Sequence, residues 1–355
     1  MTIVPQRTYP ARMRRLTPVL LAFLLAGCGR SSSEATSSGG SPSSAPSSTA
    51  APTPPPPLPP SSPAVWATLD FSPRDIDVRD GTVYVTTENA EDENLTGSIV
   101  AIPTASPTPK ILARNQRAPH QVAAGGGFVY WLASPNDDGA VMRVPVAGGT
   151  PIKIAATFIL SAAALTATDD AVYWVDLNKL MRAKHKDAKP EQIAVVGDHE
   201  DSSRALAVYK DFAYFVNQQT LWEVKLGAKT FLNIATGPSL VFGIAVDDDG
   251  IFWSDRGNIT ATAGNGEVRK LLFGSKQADV VQAGVRLPWG VATDEQFVYW
   301  VSNKDREGTI WRAQKRGSHV QTIATGQDAP VDVAVDARAV YWTNASSKTV
   351  MRLPK

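Results

Sequence analysis

A short strand pattern recurs seven times along this chain, at separations of 38 to 47 residues. Its pivots are Tyr84, Tyr130, Tyr173, Tyr214, Phe252, Tyr299 and Tyr341. A second aromatic follows six of them (Trp131, Trp174, Phe215, Trp253, Trp300 and Trp342), and Val85 follows the first. A fixed period of this length means that one supersecondary unit is repeated. Each copy buries its faces only against other copies.

The sixth repeat shows the grammar of the unit. Trp289-Gly290-Val291-Ala292-Thr293 reads as an inner strand, turned by Asp294-Glu295-Gln296, and Phe297-Val298-Tyr299-Trp300-Val301 as the second. Thr309-Ile310-Trp311-Arg312-Ala313 is the third and Val320-Gln321-Thr322-Ile323-Ala324 the outer one. β-Branched and aromatic residues lie between Gly, Asp and Asn turns, as hairpins require. Val141-Met142-Arg143-Val144 and Val350-Met351-Arg352-Leu353 repeat the third strand, and Ile154-Ala155 and Ile234-Ala235 the outer one. In the fifth repeat Ile259-Thr260-Ala261-Thr262 is read as the third strand, without its basic residue. Inner strands carry a small or short residue at one repeated position: Asp77, Ala123, Thr166, Ala207, Ala245, Ala292 and Ala334. Strands crowded round an axis leave no room there for larger groups. The fold expected is all-β: a seven-bladed β-propeller of four-stranded antiparallel blades, over residues 64–355. The seventh repeat stops after its third strand, and Val65-Trp66-Ala67-Thr68-Leu69 is a strand with no repeat of its own. Pairing the two closes the last blade with the N-terminal strand and covers an open edge.

The tandem aromatics and their surroundings, such as Gly243-Ile244-Ala245-Val246-Asp247 followed by Ile251-Phe252-Trp253-Ser254-Asp255, resemble the YWTD, NHL and TolB-like propeller families. The resemblance spans about residues 65–355 and implies the propeller fold in a secreted or cell-surface protein, with no particular activity.

Residues 1–27 contain Arg7, Arg12, Arg14, Arg15 and no acid, with an apolar run from Leu16 to Leu25. A basic start and a short apolar core read as a secretory signal, too short to span a bilayer. Leu25-Ala26-Gly27-Cys28 resembles the bacterial lipobox, which implies cleavage before Cys28 and acyl chains on its thiol and new amino group. Three such chains exceed the two signals that stable anchoring takes. Gly29 after the cysteine favours the outer membrane of a bacterial envelope over retention at the inner one. Residues 28–63 form a tether: 22 of the 35 residues from 29 to 63 are Ser or Pro, too few apolar groups to offset the entropy of ordering. Cys28 is the only cysteine, so the domain has neither a disulfide nor a thiolate metal site. Lys plus Arg number 35 against 34 Asp plus Glu; loss of the signal leaves a net −3, without the basic footprint of a nucleic-acid binder.

No catalytic motif stands out. There is no Gly-x-Ser-x-Gly, phosphate loop or His-Glu-x-x-His, and Gly125-Gly126-Gly127 and Gly148-Gly149 read as hairpin turns. No cofactor or metal is expected, and His185 and His319, among Lys and Arg, are expected to face water. The residues entering the inner strands are the candidate ligand-binding set at the channel mouth. Arg74, Asp75, His120, Gln121 and Asp332 fall on adjacent repeats as a polar arc; Arg204 lies beyond them, and Phe242 and Trp289 form an aromatic arc opposite. The acidic loop 88–94 (Glu88, Glu91, Asp92, Glu93) is a second candidate, for calcium or a basic partner. The function expected is a lipid-anchored binding or scaffold module for an envelope protein, peptide or glycan. The alternative is a channel-mouth enzyme of lyase or lactonase type, with His120 as acid/base oriented by Asp75 or Asp332.

Overall fold

The tandem aromatics explain how the blades pack. Side chains alternate across a strand, so the two residues of each pair face opposite sides of their blade. Tyr299 packs towards the next blade and Trp300 towards the previous one; Tyr341 and Trp342, and Tyr130 and Trp131, divide in the same way. In this computed structural model the described residues are 62–92, 95–133, 139–157, 164–195, 205–217, 219–228, 230–237, 240–257, 264–303, 307–317 and 319–355. Among them are seven four-stranded antiparallel sheets and no helix.

The first blade comprises β2 (Ser72–Arg79), β3 (Thr82–Glu88), β4 (Thr96–Pro103) and β5 (Lys110–Arg117). The second has β6 (Pro119–Gly125), β7 (Phe128–Ala133), β8 (Gly139–Pro145) and β9 (Ile152–Thr157). The third has β10 (Leu165–Ala167), β11 (Ala171–Asp176), β12 (Lys179–Lys184) and β13 (Pro190–Val195). The fourth has β14 (Leu206–Tyr209), β15 (Phe212–Asn217), β16 (Thr220–Lys225) and β17 (Thr230–Thr236). The fifth has β18 (Val241–Val246), β19 (Gly250–Asp255), β20 (Gly266–Leu272) and β21 (Asp279–Val285). The sixth has β22 (Pro288–Thr293), β23 (Phe297–Ser302), β24 (Gly308–Gln314) and β25 (Val320–Gln327). The seventh has β26 (Pro330–Val335), β27 (Ala339–Asn344) and β28 (Thr349–Pro354), with β1 (Ala64–Thr68) paired antiparallel along the outside of β28. Each of seven apolar clusters lies between two neighbouring blades rather than inside one.

The third strand of the fifth blade differs from the sequence expectation. Residues 259–262 lie outside the described ones, and the strand is β20, where Lys270 pairs with Phe252 as Arg312 pairs with Tyr299. The basic residue is therefore present.

A second repeated position clasps blade to blade. In blades three, five, six and seven the residue just after the third strand reaches back to the preceding blade. His185 bonds Tyr130 Oη through Nδ1 at 2.6 Å, Lys315 pairs with Asp247 at 3.0 Å and Asp249 at 2.7 Å, and Lys355 pairs with Asp294 at 2.6 Å. Phe273 meets the Tyr214 ring at 6.4 Å in the equivalent place. His185 is thus buried, not solvent-facing. Its Nε2 donates to Thr168 O at 2.9 Å, and Gly126 makes room, since a Cβ there would lie 2.0 Å from the imidazole.

Candidate functional site

The inner strands β2, β6, β18, β22 and β26 each carry a register shift near their start. Such bulges re-aim side chains, here at the mouth of the central channel. Immediately before the first apolar inner-strand residue stand Asp75, Gln121, Ala164, Ala205, Gly243, Gly290 and Asp332. Three of these are polar, and they fall on the consecutive blades seven, one and two.

The three side chains form a belt. Asp332 accepts the Ile76 amide of the next blade; Asp75 Oδ2 accepts the Val122 amide at 2.7 Å, and Gln121 Oε1 the Leu165 amide at 2.8 Å. One inner strand is tied to the next three times in succession. Asp332 Oδ1 also accepts the Val333 amide at 2.8 Å. Gly290 gives its carboxylate space, because a Cβ there would fall 1.5 Å from Asp332 Oδ1. At Gly243 the backbones of blades five and six approach directly, with Trp289 O 2.7 Å from where a Cβ would sit.

Asp77, two residues further along β2 and on the same face, accepts the Ala124 amide at 2.7 Å and adds a third channel carboxyl. The sequence reading noted Asp77 only as a short residue. A single acid in a column otherwise of Ala and Thr was the signal. These acids are partly exposed to the channel yet surrounded by protein, and burial dominates their chemistry. Burial, and then the charge of Asp332, pushes the Asp75 carboxyl well above the usual carboxylate range. Burial also raises Asp77 and Asp332, the latter opposed by hydrogen bonds from Asp75 and two amides. Their mutual hydrogen bond raises Asp75 and lowers Asp332, so Asp75 is the carboxyl of the pair held further above its usual range.

The channel cavity of about 270 Å³ is lined by Asp75, Asp77, Gln121, Asp332, Phe242 and the apolar inner-strand residues. No Lys or Arg lines it among the described residues. Phe242 and Trp289 do come together, their ring centroids 4.6 Å apart, and Arg256 stacks on both at 4.5 and 4.7 Å. The Trp289 indole N–H is buried without a hydrogen-bond partner among the described residues. Arg256 was missed because it lies outside the inner strands, just after β19.

Two expected members point elsewhere. Arg74 pairs with Glu88 at 3.3 Å. His120 bonds Ala118 O through Nδ1 at 3.1 Å, and burial lowers its pKa. The arrangement of His120 oriented by Asp75 or Asp332 is not formed, since both acids spend their oxygens on backbone amides and on each other. Arg204 and Cys28 lie outside the described residues. In the acidic loop Glu88 is buried against Arg74, and Asp92 accepts the Thr96 hydroxyl, so two of its acids are used internally; Glu93 and Asn94 are outside the described residues. Among the described residues no three His, Cys, Asp or Glu side chains are grouped to hold a metal ion, and no helix is long and apolar enough to cross a membrane.

No family model matches the chain. Protein cueball of Drosophila grimshawi is 30% identical over 120 residues, which is 32% of this chain and 19% of that protein, so the chain covers under a fifth of that relative's length. Solved structures share the fold at low identity. The β-propeller domain of the trilobed protease from Pyrococcus furiosus has a TM-score of 0.56 at 10% identity, over 80% of this chain and 96% of that one. BamB from Moraxella catarrhalis has 0.53 at 9%, over 81% and 86%. A chain of a nidogen/laminin complex has 0.50 at 14%, over 72% and 98%. The class is therefore a β-propeller.

Proposed function

We propose that this chain is an extracytoplasmic binding or scaffold module, held to a bacterial membrane by lipidated Cys28 and a tether of residues 29–63. Its partner is a protein or peptide that inserts a Lys or Arg side chain into the channel mouth. One observation carries this: three part-buried carboxyls line a channel with no Lys or Arg among its described lining residues, beside the Phe242–Trp289 pair. A cavity of about 270 Å³ suits one side chain rather than a folded segment. A cation entering the mouth favours the ionised form of Asp75, whose carboxyl burial holds above its usual range, so binding strengthens as pH rises. The basic leader and Leu25-Ala26-Gly27-Cys28 support the anchor and the envelope location, with the outer membrane favoured by Gly29.

The test places a photo-crosslinking residue at position 242 of the full-length chain in its native envelope. A protein adduct is expected that is weaker at pH 5 than at pH 8 and is lost with Asp75→Asn plus Asp332→Asn. Adducts indifferent to those substitutions, or confined to glycan, would refute the cation-receiving mouth. Cys28→Ser is expected to move the protein out of carbonate-washed membranes, and its persistence there would remove the anchor.

A further inference from the structure

In five blades the third strand sets a Lys or Arg opposite the pivot aromatic, as Arg182 stands opposite Tyr173 and Arg312 opposite Tyr299. The outer strand continues the row with an acceptor. Arg182 pairs with Glu191 at 2.6 Å, and Arg312 Nε donates to Gln321 Oε1 at 2.8 Å. The fourth blade reverses this charge. Glu223 stands opposite Tyr214, and Leu232 of the outer strand stands opposite Glu223. Tyr214 Oη donates to the Glu223 carboxylate, and burial, then that charge, raises the Tyr214 pKa. Glu223 is half-buried, and among the described residues no Lys or Arg lies within ion-pair distance of it. Lys225, two residues along β16 on the same face, is exposed and makes no ion pair with it. A row that is neutralised within other blades is left acidic in this one.

The row opens at the rim of the blade. β17 is the outermost strand of its sheet, and its seven residues include no charged one. The outer strands β5, β9, β13 and β21 each carry at least one charged residue, a common protection of open edges. β17 instead exposes two large apolar side chains, Phe231 at 43% and Leu232 at 61%. Phe273 of the fifth blade, itself 46% exposed, rests against the Tyr214 ring.

We infer that the open edge of β17 takes an extended segment of a partner polypeptide as a fifth strand, with one arginine of that segment crossing Leu232 to pair with Glu223. Main-chain bonds to a free edge supply affinity, and the side chains of alternate residues supply selectivity. A residue opposite Leu232 on the added strand shares the face of Leu232 and Glu223, two strand spacings, about 10 Å, from Glu223. Arginine suits that span, because its apolar stem lies along Leu232 while the guanidinium reaches the carboxylate. The seventh blade shows a guanidinium covering a side chain of the outermost strand: Arg352 lies 4.7 Å from the ring of Trp66 on β1. The site is on the outer edge of the fourth blade and does not depend on the channel reading.

The experiment measures fluorescence anisotropy of a fluorescein-labelled peptide, Thr-Val-Thr-Arg-Thr-Val-Thr, and of its Gln counterpart, titrated with the full-length protein. Saturable binding of the Arg peptide is expected, about tenfold or more tighter than that of the Gln peptide. Glu223→Gln keeps an acceptor for Tyr214 Oη and is expected to abolish the preference. Leu232→Lys puts a like charge in the arginine's path and is expected to weaken the Arg peptide about tenfold or more. Thermal melts report that each variant is folded. Because the channel mouth also offers carboxyls, the titration is repeated with Asp75→Asn plus Asp332→Asn, and a preference that disappears there belongs to the channel and overturns the edge assignment. The inference is equally overturned if the Arg and Gln peptides bind alike or not at all, or if Glu223→Gln leaves the preference intact.

Discussion

Burial holds the Asp75 carboxyl well above the usual carboxylate range, and the belt it forms with Gln121 and Asp332 makes it structural as well as accessible. A carboxyl whose folded pKa lies above its unfolded value, about 3.9 for Asp, takes up a proton on folding. Its contribution is present below the unfolded pKa and is lost as pH rises through the folded one. Each unit between the two values is worth about 1.4 kcal/mol. Asp75→Asn keeps an acceptor for the Val122 amide and a donor for Asp332, but it cannot ionise. The melting temperature of this variant relative to the native chain is therefore expected to rise as pH increases above the unfolded value of about 3.9. Thermal melts in a buffer series check this, and a difference that stays flat with pH would show that Asp75 is ionised throughout. The sequence placed Asp75, Gln121 and Asp332 in one arc, and the three line the same cavity. It did not reveal their partners, because those are backbone amides of the neighbouring blade that become adjacent only once the ring has formed. His185 was misjudged for a related reason. Its Lys neighbours suggested solvent, whereas the informative comparison was with Lys315 and Lys355 at the same place in their repeats.

At the scale of elements, the tandem aromatics were legible because period-two alternation turns two adjacent large side chains into one contact for each flanking interface. Trp131 and Trp300 are fully buried in the interfaces between blades one and two and between blades five and six. Truncating either leaves a cavity that strands on both sides cannot fill, so Trp131→Ala and Trp300→Ala are each expected to cost roughly 3–5 kcal/mol. Urea unfolding measures this, and a loss below about 1 kcal/mol would mean that the blades are not interlocked through these residues. The third strand of the fifth blade was not legible. Its local pattern did not mark residues 266–272 as the third strand; the register that pairs Lys270 with Phe252 does so.

For the propeller domain as a whole, the weak point is where the chain's two ends meet. β1 pairs with β28 through Ala64, Val65, Ala67 and Thr68, and the Leu69 amide donates to Lys348 O at 2.8 Å. Ala67 and Leu69 are buried in the cluster between blades seven and one, and Trp66 lies 4.7 Å under the Arg352 guanidinium. Removing this strand exposes the backbone edge of β28 and uncovers that cluster together. No strand on the far side of the ring compensates, since each interface is buried only by its own two blades. Two truncations separate these effects from the mere shortening of the chain. Deleting residues 29–63, a segment with almost no apolar side chains, is expected to leave the melting temperature nearly unchanged. Deleting residues 29–69 is expected to cost several kcal/mol and, through the bare edge, to introduce concentration-dependent association. Circular-dichroism melts and size-exclusion chromatography of the two proteins measure both effects. Equal melting temperatures would mean that the seventh blade holds its place with three strands, and that the N-terminal strand contributes little to the ring.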